Sequence, residues 1–217
     1  MIIININGGL GNQMFLYAAG LALATRHKTN LLLDTRTYKK FKAHNGFELD
    51  KVFGIDAIFA KEYEIKKLIG WRSSNFGQKL IYNFQASNFH RFLEGSHYYQ
   101  EKGIPYNTKF SSINDDCYLF GNFQSEHYFS HINEEIRKQF SFKTNLSDQN
   151  KILADKIQRT KNSVSIHIRR GDYMSTKISR DIHYTCTSEY YKDAMRNIEN
   201  EIINPTYFIF SDDILWV

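Results

Sequence analysis

The run Ile2-Ile-Ile-Asn-Ile6 passes directly into Gly8-Gly-Leu-Gly-Asn-Gln13, and this junction constrains the fold most. An unbroken β-branched run reads as a strand buried on both faces. A helical stretch follows, from Met14 to about Arg26, with Phe15, Ala18, Ala19, Ala22 and Leu23 on one face. Its alanines allow close packing on a sheet. Asn30-Leu-Leu-Leu-Asp34 then reads as a second strand. Strand, glycine turn, helix and strand make a β-α-β unit, so the expected class is α/β with a parallel sheet.

A glycine-rich turn of this kind aims backbone N–H groups and a helix N-terminus at an anion or a sugar. Gly9 and Gly11 match the first two glycines of a dinucleotide fingerprint, and Asp34 stands where a ribose ligand belongs. The third glycine position carries Met14, whose side chain obstructs close helix–strand packing, so the match is poor. Asn12 and Gln13 are more telling, because two amides donate to and accept from hydroxyl groups at once. For Asn12 a plain N-capping role fits the local sequence equally well.

Composition narrows the classes. With 42% hydrophobic and 24% charged residues in 217, the chain is globular and can bury a core. No apolar run reaches the length of a membrane span, and the first residues lack the basic flank of a signal peptide. Cys117 and Cys186 fit no metal or disulfide pattern, which points to a reducing cytoplasm. The net charge of +5 suits an anionic small molecule or an acidic membrane surface. It is too diffuse to argue for nucleic acid, and no nucleic-acid motif is present.

Lys39, Lys40 and Lys42 read as a solvated face, and residues 60 to 110 are aromatic, polar and irregular. Order returns at Cys117-Tyr-Leu-Phe-Gly-Asn-Phe-Gln-Ser-Glu-His-Tyr-Phe129. Tyr118 to Phe120 reads as a strand, Gly121 and Asn122 as a turn, and Ser125 as the cap of a helix burying Phe129, Ile132, Ile136 and Phe140. The polar stretch Lys143 to Asp148 is the candidate boundary between domains 1–145 and 146–217. In the second domain a helix over Asn150 to Arg159 leads to Ser163-Val-Ser-Ile-His-Ile-Arg-Arg-Gly-Asp-Tyr173. Thr187 or Ser188 caps a helix with Tyr191, Met195, Ile198 and Ile202 on one face. Tyr207-Phe-Ile-Phe-Ser-Asp-Asp213 is the next parallel strand, with two carboxylates at its end.

In the Ser163–Tyr173 stretch, Val164, Ile166 and Ile168 alternate with Ser163, Ser165, His167 and Arg169, as a strand requires. Gly171 marks the turn that leaves the sheet. Arg169 and Arg170 therefore stand at the carboxyl end of a strand, where open α/β sheets bind ligands. Guanidinium forks match phosphate oxygens in a bidentate way, so one reading is a diphosphate clamp. The other is a surface strand end with a local Arg170–Asp172 pair.

Three separated motifs occur in family order: Gly8-Gly-Leu-Gly-Asn-Gln-Met-Phe15, His167-Ile-Arg-Arg-Gly-Asp-Tyr173 and Phe210-Ser-Asp-Asp213. The stretch Tyr118 to Phe129 is a fourth. Together they resemble the family 11 glycosyltransferases, the α-1,2-fucosyltransferases, and specifically their bacterial members. The resemblance implies a GT-B-like fold of two Rossmann-type domains, with the second incomplete here. It implies inverting transfer of L-fucose from GDP-β-L-fucose to a sugar 2-hydroxyl, usually of galactose, in surface glycan synthesis (O-antigen or capsule). The implied partners are GDP-fucose and a galactose-containing oligosaccharide or lipid-linked glycan. No cofactor, no metal and no nucleic acid is implied. The implied location is cytoplasmic, at most peripheral at the inner face of the membrane.

By motif match Arg169 contacts the diphosphate and stabilises departing GDP, with His167, Arg170 and Asp172 in support. Asp212 and Asp213 shape the donor pocket, while Gly9, Gly11, Asn12 and Gln13 lie on the acceptor side. No Asp-x-Asp motif of metal-dependent sugar transferases occurs in the chain, so arginine in place of metal is the consistent mechanism. Asp172 and Glu126 are candidates for the general base. Related protein-core fucosyltransferases carry a carboxylate a few residues past the Asp172 position, where this chain has Lys177. The family's further Asn-Ser-Thr-Phe-Ser-Trp-Trp stretch is absent, and the second domain has about two strands where a doubly wound domain has about five or six. The expectation is a fragment or truncated relative with an open sheet edge, aggregation-prone or dimeric, that binds GDP weakly at best and transfers no fucose. A non-catalytic sugar- or nucleotide-binding remnant and a dinucleotide-dependent oxidoreductase are the competing readings.

Overall fold

Strand β1 (Ile2–Asn5) is the spine of the amino-terminal part, with Ile2, Ile3 and Ile4 completely buried. The computed structural model describes residues 1–40, 45–74, 76–77, 97–101, 103, 105–174 and 184–217, without the side chains of Lys40 and Asp172. Lys42 and Lys177 lie outside the described residues. The chain divides into two compact units, Met1–Thr144 and Asn145–Val217.

Unit one holds a parallel sheet of order β2-β1-β4-β3, with β2 Leu31–Asp34, β3 Tyr98–Gln100 and β4 Cys117–Phe120. Both faces of β1 are covered. Ile2 and Ile4 join a core with Leu16, Leu23, Leu33, Leu119 and Tyr128. Ile3 faces the opposite way into a core with Leu32, Ile65, Leu68 and Tyr118. This is why the strand is apolar at successive positions instead of alternating.

Helix α1 (Leu10–His27) begins at Leu10 rather than Met14, with Gly9 in extended conformation as its N-cap. Gly11, Asn12 and Gln13 thus belong to its first turn. The helix stops where Lys28 turns left-handed (φ 51°) and its N–H donates to the carbonyls of Ala24 and Thr25. Close approach of α1 to the sheet falls at Gly20. A Cβ there would stand 2.8 Å from Leu31 Cδ1 and 3.1 Å from Ile4 Cγ2. Met14 packs at the margin of the same core.

Short helices α2 (Arg36–Lys40) and α3 (Leu49–Phe53) follow, and α4 (Glu62–Ile69) covers the second face with Ile65, Leu68 and Ile69. The single helix expected through Phe140 is broken. Two 3-10 turns, Glu126–Tyr128 and Ser130–Ile132, precede α5 (Asn133–Gln139). Ser125 does cap the first turn, accepting from the His127 N–H. The break lies at Phe129, whose ψ of 12° is not helical and whose ring packs on Phe15 with centroids 6.0 Å apart. Ile136 is buried, and Phe140 packs on Tyr17 and Phe53.

Unit two contains α6 (Asp148–Arg159), β5 (Ser163–Ile168), α7 (Gly171–Met174), α8 (Ser188–Glu201) and β6 (Thr206–Ser211). Ser147 and Thr187 cap α6 and α8 by accepting from the N–H groups of Asn150 and Tyr190. β5 and β6 pair in parallel, from Ser163 opposite Thr206 to Ile168 opposite Ser211. Val164, Ile166 and Ile168 are shielded while Ser163, Ser165 and His167 are exposed, the alternation of a strand covered on one face. The Tyr207 hydroxyl donates to the Met195 carbonyl at 3.1 Å and ties β6 to α8.

Candidate functional site

The parallel register of β5 and β6 places the residues after Ile168 beside those after Ser211. Two arginines and two carboxylates therefore meet at one sheet end. The Arg170 N–H donates to Asp212 Oδ1 at 2.7 Å, and its Nε donates to Asp213 Oδ2 at 3.3 Å. Asp213 is itself oriented, since its N–H donates to Ser211 Oγ at 3.0 Å. The Arg170 guanidinium also lies 4.3 Å from the Trp216 ring centroid, and Trp216 meets Tyr191 edge to face at 6.1 Å. Carboxylate and aromatic platform together fix the Arg170 fork. A partner for Arg170 thus comes from just past the neighbouring strand, 43 residues on, while the Asp172 side chain of the expected Arg170–Asp172 pair lies outside the described residues.

Arg169 points to the other face of the strand, exposed, with its guanidinium 4.6 Å from the Tyr173 ring. His167 lies on that face too, opposite Phe210 in the register. Asp172 sits in α7, directly after Gly171. A cavity of about 300 Å³ lined by Ile168, Ser188, Tyr191, Ile209, Trp216 and Val217 adjoins the Arg170–Trp216 stack.

Unit one presents amides where unit two presents charge. Asn12, in the first turn of α1, accepts at Oδ1 from Gln124 Nε2 at 2.8 Å. It does not cap the helix; Gly9 does, without a side-chain bond. Gly9 and Gly11 both precede this position, Gly9 as the N-cap and Gly11 within the helix. Gln13 behaves differently from its neighbour. It is fully buried, donates to the carbonyls of Gly8 and Gly46, and accepts from the Glu48 N–H. Its amide is spent inside the unit. The Tyr38 hydroxyl donates to the same Gly8 carbonyl at 2.7 Å, and burial holds that phenol well above its usual range.

The dinucleotide reading loses its ribose ligand. Asp34 is 1% exposed, and its carboxylate accepts from Arg36 at both oxygens and from the Tyr118 hydroxyl at 2.7 Å. Arg36 in turn donates to the Ser73 carbonyl, so the network binds α2 to the segment after α4. Glu126 lies exposed in its 3-10 turn. A second cavity, about 260 Å³, lies by the end of α1 near Lys28 and Asp56, and no candidate site residue lines it.

The profile of glycosyl transferase family 11 matches residues 1–217. The chain belongs to glycosyl transferase family 11. As a glycosyltransferase it moves a sugar from a nucleotide-sugar donor to a glycan acceptor. The chain is 36% identical to an alpha-1,2-colitosyltransferase of Escherichia coli, over 100% of this chain and 70% of that protein. It is 30% identical to the O-antigen biosynthesis glycosyltransferase WbnK of Escherichia coli, over 97% of this chain and 72% of that protein. No solved structure matches. Among the described residues no helix of this glycosyltransferase is long and apolar enough to cross a membrane.

Trp216 and Tyr173, the aromatic platforms under the two arginines, were not among the residues the sequence singled out. Their signal is weak: Tyr173 closes the quoted arginine motif, and Trp216 follows Asp213 by a single turn, its N–H donating to the Asp213 carbonyl.

Proposed function

We propose that this glycosyltransferase moves a 6-deoxy sugar of the L-fucose type from a GDP-sugar to the 2-hydroxyl of a galactose-containing acceptor, with inversion and without a metal ion. The observation that carries it is the arginine pair at the end of β5, with Arg170 fixed by Asp213 and Trp216 and Arg169 presented beside it. Arg169 takes the diphosphate, Arg170 anchors the clamp, and His167, Asp172, Asp212 and Asp213 complete the donor side in unit two. Asn12 serves the acceptor in unit one, in the first turn of the helix that Gly9 caps and Gly11 shares. This is the division of labour of a GT-B-like enzyme.

In the reaction the bond between the anomeric carbon and the β-phosphate oxygen breaks, and its electron pair stays on the phosphate. The acceptor oxygen forms the new bond on the opposite face, and its proton passes to a carboxylate base, for which Asp172 and Glu126 are the candidates. Negative charge builds on the phosphate as the sugar becomes oxocarbenium-like, so a preorganised guanidinium stabilises the transition state more than the ground state. The absence of an Asp-x-Asp motif from the sequence agrees with arginine in that role. The donor sugar is L-fucose or colitose, which is L-fucose lacking its 3-hydroxyl; the colitosyltransferase relative brings in the second. The relative named for O-antigen biosynthesis supports an acceptor in a surface glycan, reached from the cytoplasmic side.

The test is transfer from GDP-fucose and from GDP-colitose to lactose, with and without chelator. An α-1,2-linked product formed at the same rate in chelator is expected. A strict requirement for manganese or magnesium would overturn the arginine mechanism. GDP binding without transfer from either donor would establish a non-catalytic protein instead.

A further inference from the structure

The turn after β4 is built around a carboxylate that the sequence reading passed over. Glu101, just beyond β3, accepts at Oε2 from two consecutive backbone N–H groups, those of Asn122 and Phe123, both at 2.7 Å. Its Oε1 accepts from the Tyr128 hydroxyl at 2.8 Å, and that hydroxyl accepts from the Asn107 N–H at 3.1 Å. The turn is shaped to admit this side chain. A Cβ on Gly121 would stand 2.5 Å from Glu101 Cβ and 2.9 Å from its Oε2. Phe123 is held at a φ of 49°, which a bulky residue seldom adopts, and its ring is fully buried against Phe110 and Tyr128. Charge-assisted hydrogen bonds and a buried ring thus lock the turn.

What the locked turn presents is Gln124, donating to Asn12 across 112 residues of chain. Asn12 stands beyond the carboxyl end of β1 and Gln124 beyond that of its neighbour β4, the edge at which parallel sheets bind ligands. Their contact uses Asn12 Oδ1 and one Gln124 Nε2 proton, and amides have further donor and acceptor capacity to offer.

We propose that Glu101 is a positioning residue for the acceptor sugar. Through the backbone of Asn122 and Phe123 it holds Gln124 against Asn12, and that amide pair binds hydroxyls of a neutral sugar. Glu101 spends its carboxylate on the turn and does not touch the sugar. The inference rests on the assignment of the acceptor to unit one made above.

The test compares wild type with Glu101→Ala, Glu101→Gln and Gln124→Ala. Initial rates are measured against lactose and against the GDP-sugar, with melting temperatures and saturation-transfer NMR of lactose alongside. Glu101→Ala and Gln124→Ala raise the lactose KM about tenfold or more, the equivalent of one lost hydrogen-bonding group, and leave the donor KM within about twofold. Glu101→Gln keeps a carbonyl oxygen for both N–H groups and stays within about threefold of wild type. A merely structural Glu101 would lower the melting temperature without separating the two KM values. An unchanged lactose KM in folded Glu101→Ala overturns the inference alone; should that variant fail to fold, an unchanged lactose KM in Gln124→Ala does so. Wild-type protein that neither transfers nor contacts lactose overturns the functional reading and this inference with it.

Discussion

The two units use parallel strands in opposite ways. In unit one β1 is buried on both faces, its neighbours carry helices above and below, and its loops end in uncharged amides. In unit two β5 is shielded on one face only and β6 has no fully buried residue, and arginines and carboxylates crowd their carboxyl ends. Ile3 is completely buried, whereas Ile209 is 47% exposed and Phe210 40%. A double-sided sheet leaves only its rim for function, and the rim of unit one carries the Asn12–Gln124 amide pair to which the proposed function gives the acceptor hydroxyls. The strand ends of unit two concentrate charge on a sheet whose own packing is slight. Packing is heavier in unit one, and charge is concentrated at the strand ends of unit two; the proposed function accordingly puts anion binding in unit two.

The largest expected effect breaks the chemistry without touching the packing. Arg169→Lys should lower transfer by about two to three orders of magnitude, the usual cost of roughly 3–4 kcal/mol for losing a preorganised charge contact. Melting and amide spectra should stay as in wild type, because the side chain is exposed. Activity within about threefold of wild type would make Arg169 a bystander.

A pair of aliphatic truncations, one buried and one exposed, sharpens the contrast in packing. Ile3→Ala should cost roughly 2–5 kcal/mol, as for other fully buried aliphatic residues. Ile209→Ala should cost about 1 kcal/mol or less, because that side chain keeps much of its contact with water. Hydrogen exchange read separately in each unit gives both values, and equal costs would refute the difference in burial.

A smaller effect follows from the phenols. Burial is the main cause that holds Tyr38, Tyr98, Tyr118 and Tyr128 above the ordinary tyrosine range, all in unit one. A folded value raised above the unfolded one means that the stabilisation is complete below about pH 10 and is lost as pH climbs toward the folded values. Phenolate absorbance should therefore report these four only as unit one unfolds in alkali. Their titration in a chain that keeps its native hydrogen exchange would contradict the burial.

Much of this was legible in the sequence, for definite reasons. Ile2 to Asn5, Ser163 to Ile168 and Thr206 to Ser211 are strands in apolar stretches of the sequence, and Thr187 is a strong capping residue. The start of α1 was not legible, because Gly9 and Gly11 are poor helix formers although Gly11 lies inside the helix. Gln13 reads like Asn12 in one dimension, but its partners at Gly46 and Glu48 come from 33 and 35 residues away. Asp34 reads like a ribose ligand until Arg36 and Tyr118 close around it. Glu101 has no local signal at all, since its work is done on backbone atoms 21 and 22 residues further on. Side chains that bond to distant backbone leave no periodicity to read.

The comparison is tested most directly by mapping GDP onto the amide spectrum of the chain. Shifts should gather at Arg169, Arg170, Gly171, Asp212 and Asp213 of unit two, and fade in Arg169→Lys. Shifts confined to Gly8–Gln13 of unit one, with the strand ends of unit two unmoved, would contradict it.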